Sequence, residues 1–153
     1  AAERDGVRLV SAVLGSGWGD AGKQKKWTDT KVLMDYGFAV FHPYEAVQAG
    51  ESFGEIRITD SPTAQMETIL AEGYTALFSD AEIEKLYLTA DLPKELAAPV
   101  HRGERLGQAV LWLGEERLAA VDLLAAEDAE PFTLAQRLLR LAEGWLSWRD
   151  WKD

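Results

Sequence analysis

The sequence predicts a mainly β protein with helical segments on either side. A strand, a glycine-rich loop and a helix occupy residues 1–42. A small antiparallel β-domain, sandwich or barrel, follows over 43–130, and an amphipathic helix closes the chain over 131–153. Three observations carry this. The apolar spacing is helical near both ends and alternates in the middle. Glycine and proline punctuate the middle at the intervals of short strands. The charge changes in step: six Lys/Arg against five Asp/Glu in 1–42, six against eighteen in 43–130, and four against three in 131–153.

Composition limits the function classes. A chain of 153 residues, 47% hydrophobic and 27% charged, is a globular one. No apolar run reaches the ~18 residues that a membrane-spanning helix needs. The net charge of −10, concentrated in the middle, repels phosphate backbones, so no nucleic-acid partner is expected. With no cysteine there are no disulfides, thiolate metal sites or cysteine nucleophiles.

The first element is a hairpin. Asp5-Gly6 is a favoured two-residue turn, and a strand follows from Val7. Leu9, Val10, Ala12, Val13 and Leu14 are apolar on both faces, as in a strand lying centrally in a sheet. Only Ala1 to Arg4 precede the turn, an imbalance that predicts a chain cut in mid-domain. Gly15 to Gly22 then reads as a connecting loop. Val32, Leu33 and Tyr36 keep helical spacing, with Thr28 or Asp29 as the N-cap. The pattern thins at Gly37-Phe38, and His42-Pro43 closes the segment.

In the middle, about six strands are expected. "SFGEIRIT" sets Phe53, Glu55 and Arg57 against Gly54, Ile56 and Ile58; "AQMETILAE" and "YTALFS" flank Gly73. "IEKLYLTADL" puts Leu86, Leu88 and Ala90 on one face and Tyr87 and Thr89 on the other. "LPKELAAPVHRGERLG" reads as a connection, and "QAVLWLGEERLAAVDLLAAED" as a hairpin turning at Gly114-Glu115. In the final segment Thr133 is an acceptable N-cap. Leu134, Leu138, Leu141, Trp145 and Trp148 form one apolar stripe opposite Gln136, Arg140, Glu143, Ser147 and Asp150.

Among motifs, the glycine loop comes first. Gly17 to Gly22 satisfies G-x-G-x-x-G, and Gly17 to Lys23 satisfies G-x-x-x-x-G-K. A Walker loop needs Ser or Thr after its lysine to hold magnesium, and Gln24 stands there. The dinucleotide fingerprint needs a helix packed closely on a sheet, and Lys-Gln-Lys-Lys follows Gly22. A flexible loop with Lys23, Lys25 and Lys26 facing water is the better reading; a nucleotide-binding module using Gly17–Lys23 is the alternative. The chain has no asparagine, no Lys-Thr-Gly, and no serine followed three positions later by lysine. His42 and His101 read as surface loop residues. No catalytic, metal-binding or cofactor-binding residue is expected, and no cofactor. From its residues alone, the terminal helix has three open partners: its own domain, a membrane surface with Arg137, Arg149 and Lys152 at the rim, or a groove on another protein.

Three stretches in order resemble the C-terminal portion of the serine D-alanyl-D-alanine carboxypeptidases, the low-molecular-mass penicillin-binding proteins. "AERDGVRLVSAVLG" is similar to the hairpin that follows the Lys-Thr-Gly strand of their catalytic domain, and "DTKVLMDYGFAVF" to that domain's last helix. "LAAPVHRGERLGQAVLWLGEERLAAVDLLAAED" is similar to the end of their second, β-rich domain. The resemblance implies the tail of a β-lactamase-like, transpeptidase-like catalytic domain over 1–42, a β-sandwich domain over 43–130, and a membrane-associating helix over 131–153. It implies a parent hydrolase that trims D-alanine from peptidoglycan stem peptides in cell-wall synthesis, outside the cytoplasmic membrane. The family's catalytic motifs lie upstream of the hairpin, so this segment is expected to be a non-catalytic spacer or platform. Its expected partners are the upstream catalytic domain and the outer surface of the cytoplasmic membrane, with peptidoglycan peptides reached through the parent enzyme.

Overall fold

A computed structural model of the chain describes residues 1–15 and 17–140. In chain order its elements are β1 (Ala2–Arg4), β2 (Val7–Leu9), α1 (Gly19–Val40), β3 (His42–Val47), β4 (Ser52–Thr59), β5 (Gln65–Leu70) and β6 (Tyr74–Phe78). Then come α2 (Asp80–Ile83), β7 (Leu86–Asp91), β8 (Glu95–Ala97), β9 (Arg105–Leu113) and β10 (Glu116–Ala125). Residues 134–140 are helical. The chain divides into two compact units. One comprises Ala1–Gln48, Gly73–Leu88 and Leu111–Ala119; the other comprises Ala49–Glu72, Thr89–Val110 and Ala120–Asp153.

In the first unit, β1 and β2 pair antiparallel about Asp5 and Gly6, whose φ values of 51° and 80° are those of the expected two-residue turn. The longer strand expected through Leu14 does not form. The register Ala2↔Leu9 uses all of β1, and residues 10–15 form no strand. Val10 and Leu14 are accordingly exposed. The helix begins at Gly19, well ahead of the expected caps. Thr28 is an interior residue whose Oγ1 donates to the Gln24 carbonyl at 3.2 Å. Lysine and glutamine are good helix formers and Asp20 suits the positive end of the helix, so the turn before Trp27 is helical without an apolar stripe to announce it. Gly37 does not thin the helix either. It is buried, and the Cδ1 of Leu9 lies 2.6 Å from where its Cβ would stand. The absent side chain is what lets β2 lie on α1. The helix closes at Phe41, whose N–H donates to the Gly37 carbonyl.

Where the sequence suggested a boundary at His42-Pro43, β3 begins. It pairs antiparallel with β6, His42 opposite Phe78, and shifts register between Glu45 and Val47. Pro43 conceals this strand from a propensity reading. Val47 and Phe78 are its buried side chains, and Tyr44 meets the Phe78 ring edge-on at 6.4 Å between centroids.

The second unit holds the main core. The six-stranded sheet has the order β7-β9-β10-β5-β4-β8, with β4, β5 and β8 wholly in this unit and β7, β9 and β10 partly in it. β4 occupies the octapeptide expected, with Ile56 and Ile58 buried and Glu55 and Arg57 exposed. Met66, Val100, Leu106, Ala125 and Ala129 complete the core cluster, with Leu92, Leu96 and Ala98 packed on it. Thr68 is wholly buried, and its Oγ1 donates to the carbonyl of Gly54 across the irregularity between Ser52 and Gly54. The unit is not purely antiparallel as expected. β8, read from sequence as a connection, runs parallel to β4 with Arg57↔Glu95 and Thr59↔Ala97. The six strands expected after residue 43 are eight among the described residues.

The link from β7 to β8 bends this sheet. The two strands stand at opposite ends of the order, yet only Leu92 to Lys94 join them. Laid flat, five inter-strand gaps of ~4.8 Å would separate them by about 24 Å. Four peptide steps from Asp91 to Glu95 reach at most about 14 Å. The sheet is therefore not flat: at Asp91 and Glu95 its two edge strands come within about 14 Å of each other.

Candidate functional site

The glycine loop of the first unit is turned by positive φ at Gly15, Gly17 and Gly19, and α1 starts at the last of these. Gly22 packs against Gly17: a Cβ on Gly22 would stand 2.4 Å from the Gly17 carbonyl oxygen. The N-cap, Trp18, gives no side-chain hydrogen bond and is 99% exposed. Lys23 Nζ lies 3.3 Å from Asp20 Oδ1, and both side chains are largely in water. A carboxylate thus already occupies the first turn and already holds the lysine that a phosphate would need. The adjoining hollow, about 260 Å³ and open, is lined by Val13, Lys23, Lys26, Trp27 and Thr30. Lys23, Lys25 and Lys26 face water, as the sequence suggested.

Nucleophile and metal chemistry find no better footing. Gly50-Glu51-Ser52-Phe53-Gly54 satisfies G-x-S-x-G, a hydrolase pattern that requires a strand, a tight turn and then a helix. Here Ser52 opens β4, and its hydroxyl donates to Glu67 Oε1 on the neighbouring strand at 3.1 Å. His42 lies 3.5 Å from Asp80 and His101 3.8 Å from Asp128, each at the surface. Among the described residues no cluster of three metal-ligating side chains occurs. A polar cleft of about 440 Å³ runs along Asp91, Leu92, Pro93, Arg105, Leu106, Gly107 and Gln108 in the second unit. Beside it, Asp122 Oδ1 accepts from Arg105 Nε at 2.7 Å and from Gln108 Nε2 at 3.4 Å.

The start of the final helix is built with care. Thr133 is its N-cap: the Gln136 N–H donates to Thr133 Oγ1 at 3.3 Å, while Gln136 Oε1 accepts from the Thr133 N–H at 2.9 Å and from its hydroxyl at 3.0 Å. This is the reciprocal Thr-x-x-Gln box. Its spacing is legible in the sequence, although Gln136 was placed there only as a polar-face residue. Leu134 and Leu138, two of the five stripe residues, are 81% and 66% exposed. Leu141, Trp145 and Trp148 lie outside the described residues. Arg140 sets its guanidinium 4.7 Å from the Phe132 ring centroid.

Comparison with known proteins gives a consistent answer. The family described as "Penicillin-binding protein 5, C-terminal domain" matches residues 41–131. A curated relative from Haemophilus influenzae, the D-alanyl-D-alanine carboxypeptidase DacA, is 26% identical over 125 residues, 80% of this chain. The chain spans only 30% of that relative's length. Penicillin-binding protein 5 of Haemophilus influenzae is similar in structure, with a TM-score of 0.54 at 20% identity over 70% of this chain and 31% of that one. The D-alanyl-D-alanine carboxypeptidase DacD of Francisella tularensis gives 0.52 at 16% identity, over 74% and 29%. At those identities the likeness is one of fold.

Proposed function

The chain belongs to the penicillin-binding protein 5 C-terminal domain family, and from that premise we propose that it is the membrane-side portion of a serine D-alanyl-D-alanine carboxypeptidase acting on peptidoglycan stem peptides. In this reading residues 1–42 are the tail of the catalytic domain, 43–130 the β-domain, and 131–153 a helix lying on the outer face of the cytoplasmic membrane. The β-domain is a non-catalytic spacer that holds the active centre off the lipid. The observation that carries the reading is the family match ending at Pro131, followed at once by a capped helical start whose Leu134 and Leu138 stand in water. Exposed leucines at 134 and 138, with Arg137 between them in sequence, suit an interface between water and lipid.

Two measurements test it. Fluorescent penicillin should not label this polypeptide; labelling would place the acyl-serine chemistry within it and sink the reading. Titration with phosphatidylglycerol-containing vesicles should shift the tryptophan emission to the blue. The double variant Leu134→Glu, Leu138→Glu should lose that shift while keeping its β-sheet circular dichroism. An emission unmoved by vesicles of any charge rejects the anchor.

A further inference from the structure

We propose that residues 128–133 are a rigid mount that fixes the direction of the helical stretch 134–140 on the second unit, and not a tether between two independent parts. By composition the stretch looks like a tether: "AAEDAEP" is short, acidic and rich in small residues, ahead of a helix. The structure ties it down at successive positions. Asp128 Oδ1 accepts the Arg102 N–H at 2.8 Å. Ala129 exchanges both backbone hydrogen bonds with Val100, at 2.8 and 3.0 Å, and the two are 1% and 3% exposed within the core cluster. The Glu130 carbonyl accepts the hydroxyl of Ser61 at 2.7 Å, and Ser61 is itself buried. Pro131 has no N–H to give, and its ring fixes φ. The Phe132 N–H donates to the Asp60 carbonyl at 2.8 Å, and Asp60 holds a left-handed φ of 58°. Thr133 then caps the helix, and Arg140 returns over the Phe132 ring.

The turn at Asp60 and Ser61 is thus the socket. It receives one carbonyl and one N–H from the strap, two residues apart, so the strap cannot rotate about its own axis without breaking one of them. A tether needs several consecutive residues with free φ and ψ. This one has a stiff proline at 131 and held neighbours on either side. The inference does not depend on what the helix binds. Whether its partner is lipid or protein, the mount sets the angle from which the helix leaves the sheet.

The chain has no cysteine, so Leu138→Cys takes a single dye. Time-resolved anisotropy of that dye on the full chain in lipid-free buffer, with amide exchange across residues 126–133, tests the mount. Its amides should exchange at least a hundredfold more slowly than in an unfolded chain, and the dye should tumble with the whole unit. Ser61→Ala should speed that exchange by roughly tenfold, about the worth of one hydrogen bond. It should also add a fast segmental decay at the dye while β5 and β10 stay protected. Unprotected exchange in the parent chain, a fast decay already dominant there, or a Ser61→Ala profile identical to the parent overturns the mount. None of these outcomes bears on vesicle binding, so its failure is separable from failure of the membrane reading.

Discussion

One carboxylate oxygen of Glu82 accepts both donors of Ser79, the backbone N–H at 2.8 Å and the hydroxyl at 2.7 Å. The pair opens α2, a four-residue helix between β6 and β7. Ser-x-x-Glu announces a helix start in the sequence itself, and it is the only warning that so short an element gives.

Those two bonds, the backbone one foremost, hold the Glu82 carboxyl below the usual glutamate range, with a smaller contribution from Lys85. The folded value lies under the unfolded one. The stabilisation is therefore fully present above the ordinary glutamate range and is lost as pH falls through the lower, folded value. Carboxyl carbon NMR should show Glu82 titrating below the ordinary glutamate range. Ser79→Ala keeps the backbone N–H and removes only the hydroxyl, so the midpoint should move part of the way back towards the ordinary glutamate range; an unchanged midpoint would refute the hydroxyl's share.

Gly107→Ala should destabilise the second unit by about 1–3 kcal/mol, as overpacking does. Its new methyl would stand 2.3 Å from the backbone oxygen of Asp91 and 2.8 Å from Leu92 Cδ2. The first is main chain on β7 and cannot swing aside. Gly103→Ala meets open space but keeps a φ of 82°, and should cost about 1–2 kcal/mol from backbone strain alone. Urea midpoints measure both. The two glycines look alike in sequence and are needed for different reasons.

Leu123→Ala should cost about 2–5 kcal/mol, because that side chain is fully buried and nothing fills its place. Leu138→Ala, at 66% exposure, should change the unfolding free energy by less than about 0.5 kcal/mol. If Leu138→Ala is as costly as Leu123→Ala, the final helix packs on the protein and its stripe is not free for a partner.

Lys23→Ala should leave nucleotide binding where it starts, at none, in an ATP and magnesium titration. The lysine is already paired with Asp20 and the loop opens to solvent. Saturable ATP binding that disappears in the variant would restore the nucleotide reading.

The elements readable in the sequence were those with one face in water. β4 shows it most clearly: Ile56 and Ile58 alternate with Glu55 and Arg57, so burial writes itself into the order of residues. The β9–β10 hairpin is readable for the same reason, helped by Gly114 at its turn. What was not readable depends on distant partners. β8 is a strand because Arg57 to Thr59 lie beside it, and no pattern within three residues can say so. The first turns of α1 lack an apolar stripe altogether, since most of their side chains are exposed. Of the five stripe residues of the final helix, Leu134 and Leu138 lie on a helical stretch with exposed side chains. Thr133 was legible as a cap, whereas the socket at Asp60 and Ser61 lies some seventy residues away in sequence and left no local trace.

The three-residue link that joins the two edge strands has a further consequence for how the protein keeps company with its own copies. A flat six-stranded sheet offers two long rows of unpaired N–H and C=O groups, each a template on which a stranger's strand can grow. Here one margin is β8, three residues long between Pro93 and Pro99, and the link holds the end of the other margin within about 14 Å of it. A visiting strand finds a short grip, bracketed by residues that cannot donate. An edge only three residues long gives an incoming strand little to pair with.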